Sequence, residues 1–207
     1  MTKRASFKPA PIGKRVAPST LNKGKKQRVV KLPTTLIGMD IVSALRDKNL
    51  LGYSIKDPKT FEAGFTALKA LFALPPTDTE FALYRQCTGR TDWPTKPFRR
   101  GLWIWGRRAG KSFLQAATAV YLALFRDYRP YLAPREIATV FVIAADRDQA
   151  RNIMRFIAGF LEAPGLKQYL TKETTEAFEL TNGTVIEVAT ASYKSTRGLY
   201  SGRIAGR

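Results

Sequence analysis

An α/β fold, a parallel sheet with flanking helices, is predicted by three features of the sequence. "GLWIW" (101–105) and "IATVFVIAA" (137–145) are short apolar runs of the length expected for buried strands. Each is followed by a segment with helical periodicity, and a glycine-bearing loop joins the first run to its helix. Strand, loop, helix, strand, helix is the order that builds a parallel sheet, because parallel neighbours need a crossover between them.

The elements follow in order. Residues 1–35 open with "MTKRASFKPAPIGKRVAPSTLNKGKKQRVVKLP", which holds ten Lys or Arg, no acid and few large apolar groups. Such a stretch cannot bury enough surface to offset its ordering entropy, so a disordered basic arm is expected. A solvated tail and a nonspecific grip on a phosphate backbone are both compatible with it.

Residues 36–100 read as a helical lead-in. "MDIVSALRDKNLL" predicts a short helix capped by Asp40. In "DPKTFEAGFTALKALFAL", Pro58 suits a first turn, Phe61, Phe65, Leu68 and Phe72 recur at helical spacing, and Pro75-Pro76 stops the helix. That aromatic stripe is expected in the core. Thr77 and Glu80 have capping-box spacing ahead of "EFALYRQCTG".

Residues 101–207 read as a partial α/β core. A helix is predicted from Lys111 to about Asp127, and a second, in "DRDQARNIMRFIAGFLEA", opens at Asp146 as its N-cap. In "AFELTNGTVIEVAT" the pair Asn182-Gly183 predicts a tight hairpin with positive φ at both residues.

Composition narrows the chemistry. The chain has 207 residues and 44% hydrophobic content, enough for one core of about 150 residues with an appendage. It has one cysteine, Cys87, and no histidine, which excludes internal disulfides, Cys/His zinc sites and histidine acid–base catalysis. Cys87 is expected to be a small packed residue. Carboxylate, lysine, arginine or metal–phosphate chemistry remains. Thirty-five basic residues against sixteen acidic ones give +19, a charge that attracts polyanions. No run approaches the roughly 18 apolar residues of a membrane span, and the N-terminus lacks a signal-peptide core, so a soluble intracellular chain is expected.

"WGRRAGKS" (105–112) carries the sharpest motif. The phosphate-loop pattern G-x-x-x-x-G-K-[ST] is matched by Gly110, Lys111 and Ser112, but Trp105 stands at the first glycine and Gly106 comes one residue late. The loop lies between a predicted strand and a predicted helix, as phosphate binding requires. Backbone N–H groups of Gly106, Arg107, Arg108, Ala109, Gly110 and Lys111 would curl around a β-phosphate. Lys111 would reach β and γ oxygens, and Ser112 would offer its hydroxyl to Mg²⁺. A basic turn that merely caps a helix is the bland alternative.

"GRRAGKS", together with "LYRQCTGR", the following "WP" and "PFRR", "VFVIAADRDQAR" and "LTNGTVIEVATAS" with the later Arg197-Gly198, resembles the ATPase domain of large terminase subunits, the DNA-packaging motors of tailed bacteriophages. The similarity spans roughly residues 76–198. It implies a P-loop NTPase-like core, ATP and Mg²⁺ as cofactors, and Arg107 acting near the γ-phosphate, with Arg108 free to face solvent. It also implies double-stranded DNA, a small terminase subunit and a portal protein as partners, the cytoplasm of a bacterial host as location, and a possible homo-oligomer.

In the family an apolar strand after the residues matching Arg197-Gly198 ends in adjacent Asp and Glu that hold Mg²⁺ and position water, and a nuclease domain comes later. This sequence continues "LYSGRIAGR", so a core incomplete before that acidic strand is expected, one that binds ATP with little hydrolysis and has an exposed sheet flank prone to aggregation. Asp146 is expected to be an N-cap rather than the magnesium carboxylate, because Arg147 follows it; Glu187 is a weaker substitute. Tyr84, Arg85 and Gln86 match loosely the place of base-contacting residues, against the simpler reading of an amphipathic helix. A non-enzymatic basic nucleic-acid binder and another phosphate-loop NTPase are the alternative readings.

Overall fold

A computed structural model describes residues 36–191. The basic arm, Arg197-Gly198 and the "LYSGRIAGR" segment lie outside the described residues. Five α-helices and four strands follow in order: α1 Ile41–Arg46, α2 Glu62–Phe72, α3 Asp78–Thr88, α4 Lys111–Phe125, β1 Thr139–Ala144, α5 Arg147–Leu161, β2 Leu170–Glu173, β3 Ala177–Leu180 and β4 Val185–Thr190.

The sheet is mixed, with order β1-β4-β3-β2; β1 and β4 are parallel and the other pairs antiparallel. This corrects the expected parallel sheet. The reason lies in the connections: short turns join β2 to β3 and β3 to β4, and a short turn can join only antiparallel neighbours. Between β1 and β4 the chain is long enough to carry α5 as a crossover.

Helix ends follow the predicted caps. Asp40 accepts from the N–H groups of Val42 and Ser43, and Thr77 with Glu80 closes a full capping box at α3. Pro58 opens a short 3-10 turn over Pro58–Phe61 that leads into α2. α2 ends at Ala73, which takes a left-handed conformation (φ 54°) before the prolines are reached. The Asn182-Gly183 turn departs from expectation, since only Gly183 has positive φ (83°). Gly183 N–H donates to Leu180 and the Asn182 side chain accepts from Thr184 N–H and donates to Ala123 O, 2.8 Å away. Asn182 therefore ties the hairpin to the end of α4 instead of adopting a strained φ.

One core runs through the helical lead-in and the sheet. Ile41, Leu45, Leu51, Phe65 and Leu68 join Leu114, Val120, Leu124, Ile153, Ile157, Phe160, Phe178 and Ile186. α4 is central, and its alanines at 116, 117, 119 and 123 are buried, which lets neighbouring elements approach its backbone. Gly64 on α2 meets α4 so closely that a Cβ there would lie 2.4 Å from Leu114 Cδ1.

Residues 101–105 do not form a strand. Its side chains alternate, with Leu102 and Ile104 86% and 88% exposed and Trp103 and Trp105 turned inward and stacked 5.3 Å apart, but no strand among the described residues pairs with it. The apolar run predicted the alternation of a strand; a ladder also needs a neighbour, and sequence periodicity does not supply one.

β1 is an edge. Ala138 O accepts from Val185 N–H and Ala144 O from Ala191 N–H, so the even-numbered residues bond to β4 while Thr139, Phe141 and Ile143 turn their peptide groups outward. Phe141 and Ile143 are also 41% and 49% exposed. An apolar edge of this kind invites pairing with another chain. Ile143→Lys should therefore lower the sedimentation-detected fraction of self-associated protein without lowering the unfolding midpoint; unchanged association would mean that this edge is not where chains meet.

Acid stability depends on two capped carboxylates. Burial acts to raise the Glu80 pKa, but the ion pair with Lys69 (2.7 Å) and the Thr77 N–H together hold it below the usual 4.5. At Asp40, burial is likewise outweighed by bonds from Ser43 and Val42, which keep it below 3.8. Both are depressed in the folded state, so their stabilisation is present above the unfolded pKa values and is lost as pH falls through the folded ones. Urea midpoints should decline below about pH 4.5, and in Glu80→Gln the decline should be shallower.

Candidate phosphate site

The segment before α4 enters through the 101–105 stretch. It is fixed on α2 by Phe98 N–H donating to Leu71 O at 2.9 Å, and Trp105 lies over Gly64. The chain then turns sharply. Arg108 is left-handed (φ 65°), Ala109 returns to negative φ, and Gly110 is left-handed again (φ 74°). Anion-binding nests are built where left-handed and right-handed residues adjoin, and Arg108 and Gly110 supply two left-handed positions in this turn. A left-handed arginine costs on the order of 1 kcal/mol. Gly110 is required twice over, by its φ and because a Cβ would stand 3.0 Å from the Phe61 ring.

Gly110 is the N-cap of α4 and makes no side-chain cap bond; the first helical bond is Leu114 N–H to Gly110 O at 3.0 Å. The N–H groups of Lys111, Ser112 and Phe113 therefore have no partner within the helix. Partial positive charge collects there. Lys111 is exposed and folds back over the loop, its Nζ donating to Gly106 O at 2.7 Å and Trp105 O at 3.2 Å. Gly106 takes no positive φ, and a Cβ there would meet nothing within 4 Å, so that glycine answers to no local constraint.

Charge reinforces the geometry. No acidic residue occurs between Asp92 and Asp127, whereas Lys96, Arg99, Arg100, Arg107, Arg108 and Lys111 all lie in that span and are exposed. The sequence-predicted residues Gly106, Arg107, Arg108, Ala109, Gly110, Lys111 and Ser112 thus form one turn at one helix end. Ser112, half-buried, stands on the first turn of α4.

Of the carboxylates weighed from sequence, one is engaged as a cap and the other lies on the sheet face away from the core. Asp146 caps α5, its Oδ1 accepting from Gln149 N–H at 2.7 Å, as expected. Glu187 is in register with Phe141 and shares the sheet face opposite the buried Val142, Ala144, Ile186 and Val188. Tyr84 is buried against Trp93, ring centroids 4.8 Å apart, and belongs to the core. Arg85 and Gln86 line an open groove of about 380 Å³ with Ala82, Gly89, Arg90 and Thr91. Cys87 is exposed rather than packed, because α3 turns only Tyr84 fully inward.

Sequence reasoning missed Phe61 as a neighbour of the loop. Its helical spacing marked it as core, yet it ends the 3-10 turn and lies against Gly110 and Phe113, 5.0 Å from the latter's ring. No local signal in the sequence links positions 61 and 110. Among the described residues no helix is long and apolar enough to cross a membrane. No protein-family model matches the chain, and neither a curated protein nor a solved structure does.

Proposed function

We propose that the 106–112 turn is a divergent phosphate loop that binds Mg·ATP, and that the chain is the P-loop ATPase motor domain of a phage large terminase subunit. The observation that carries the first part is the joint placement of a turn with two left-handed residues, uncapped helix N–H groups and the Lys111 ammonium folded back over the loop. A triphosphate would displace the two carbonyls that now hold Lys111. Arg107 would face the terminal phosphate and Arg108 would add charge.

The residues fit the cofactor. Mg²⁺ keeps most of its shell as phosphate oxygens and water, so a single hydroxyl such as that of Ser112 is a sufficient protein ligand in the loop. The magnesium would lower the charge repulsion met by an incoming nucleophile. Fast hydrolysis needs in addition a carboxylate that positions water. Asp146, the carboxylate at the end of β1, is committed to Gln149 N–H, so turnover by the described residues is expected to be slow.

The second part rests on the resemblance in the quoted motifs. It carries with it ATP-driven translocation of double-stranded DNA, partnership with a small terminase subunit and a portal, and action in the cytoplasm of a bacterial host. The acid-free stretch between Asp92 and Asp127 also supports a second reading, a basic nucleic-acid binder with no nucleotide chemistry.

Double-stranded DNA binding measured by fluorescence anisotropy across a salt series, with and without Mg·ATP, separates the two. In a motor domain ATP changes the DNA affinity of the wild type and leaves that of Lys111→Ala unmoved. Steep salt dependence that is identical in both proteins and indifferent to ATP would support the plain binder.

A further inference from the structure

Beside the loop lies a row of aromatic rings that the fold does not finish burying. Phe61 abuts Gly110, at 3.0 Å from the position a Cβ would take. Phe113, which directly follows Ser112, packs on Phe61 at 5.0 Å and on Phe156 of α5 at 5.5 Å in an edge-to-face contact of 82°. Phe61 and Phe113 are half-buried and Phe156 is 37% exposed. α5 buries Ile153, Ile157, Phe160 and Leu161 and exposes Arg147, Arg151 and Arg155, so Phe156 sits at the border between its buried and exposed faces. The rings thus adjoin the loop at Gly110 and just after Ser112.

We propose that this Phe61–Phe113–Phe156 row is the platform for the base of the nucleotide whose phosphates the loop holds. The inference rests on the phosphate-loop reading and adds to it where the base goes. Phosphates gripped by the N–H groups of 106–112 tether the rest of the nucleotide to the N-terminal end of α4, and an exposed aromatic face next to that end offers a flat base a partner of matching shape and polarisability. Every base has such a face, so stacking of this kind favours nucleotides over bare polyphosphate without choosing strongly among purines. The Arg85–Thr91 groove offers no comparable ring, since Tyr84 is turned into the core.

The test compares Mg·ATP with Mg·tripolyphosphate, which has the phosphates and no base, in wild type, Phe156→Ala, Phe156→Trp and Lys111→Ala, by calorimetric titration. Phe156→Ala should weaken Mg·ATP about fivefold or more and leave tripolyphosphate unchanged, and Phe156→Trp should restore Mg·ATP. Lys111→Ala should weaken both ligands. Loss of Mg·ATP affinity only in Lys111→Ala, with Phe156→Ala equal to wild type, would overturn the platform while leaving the loop in place. A parallel loss of both ligands in Phe156→Ala would also overturn it, by showing damage to the loop. If Lys111→Ala bound both ligands as the wild type does, the loop reading would fall and the platform with it.

Discussion

Replacing Lys111 with alanine is expected to weaken Mg·ATP binding by about ten- to a hundredfold while leaving the unfolding midpoint where it was. The magnitude follows from hydrogen bonds to charged groups, worth roughly 1.5–3 kcal/mol each, against 1.4 kcal/mol for each factor of ten in affinity. The indifference of the fold follows from the contacts: the ammonium is exposed and touches only the carbonyls of Trp105 and Gly106, which water can satisfy instead. Calorimetry and a urea titration on the same preparations check both halves. Equal affinity in the two proteins would mean that the loop does not hold phosphate.

Phe160→Ala is expected to have the largest effect on stability, about 3–5 kcal/mol. Phe160 is fully buried on α5, and its ring lies 4.8 Å from that of Phe113 on α4. Truncation leaves a cavity between the two helices that flank the sheet. Against a total of about 5–15 kcal/mol for a domain, that is a large fraction. It should also loosen Phe113, the residue after Ser112, so Mg·ATP affinity should fall together with the urea midpoint. A change below about 1 kcal/mol would show that α4 and α5 are not packed through this ring.

Local features were legible because their causes are local. The caps at Asp40, Thr77 and Asp146 depend on a side chain reaching an N–H two or three residues away, and residue type and spacing report that directly. The turn into α4 was legible for the same reason: Gly110, Lys111 and Ser112 sit where a loop becomes a helix. Pairing was not legible. "GLWIW" has the apolar content of a strand, but Leu102 and Ile104 face solvent because no neighbour among the described residues completes a ladder there. Tyr84 and Cys87 lie three residues apart on α3, one buried on Trp93 and the other exposed, a difference set by what α3 packs against. The approach of Phe61 to Gly110 likewise comes from the packing of α2 on α4 rather than from any pattern along the chain.

The most direct test of the phosphate loop is amide chemical-shift mapping by NMR on the isotopically labelled chain, with Mg·ATP added stepwise. The backbone N–H signals of Arg107 to Phe113, with Gly110 and Lys111 foremost, should move together and saturate, because those groups are the ones left without helical acceptors. Shifts confined to Arg85–Thr91, or none in the 106–113 turn at concentrations that shift other residues, would contradict the account.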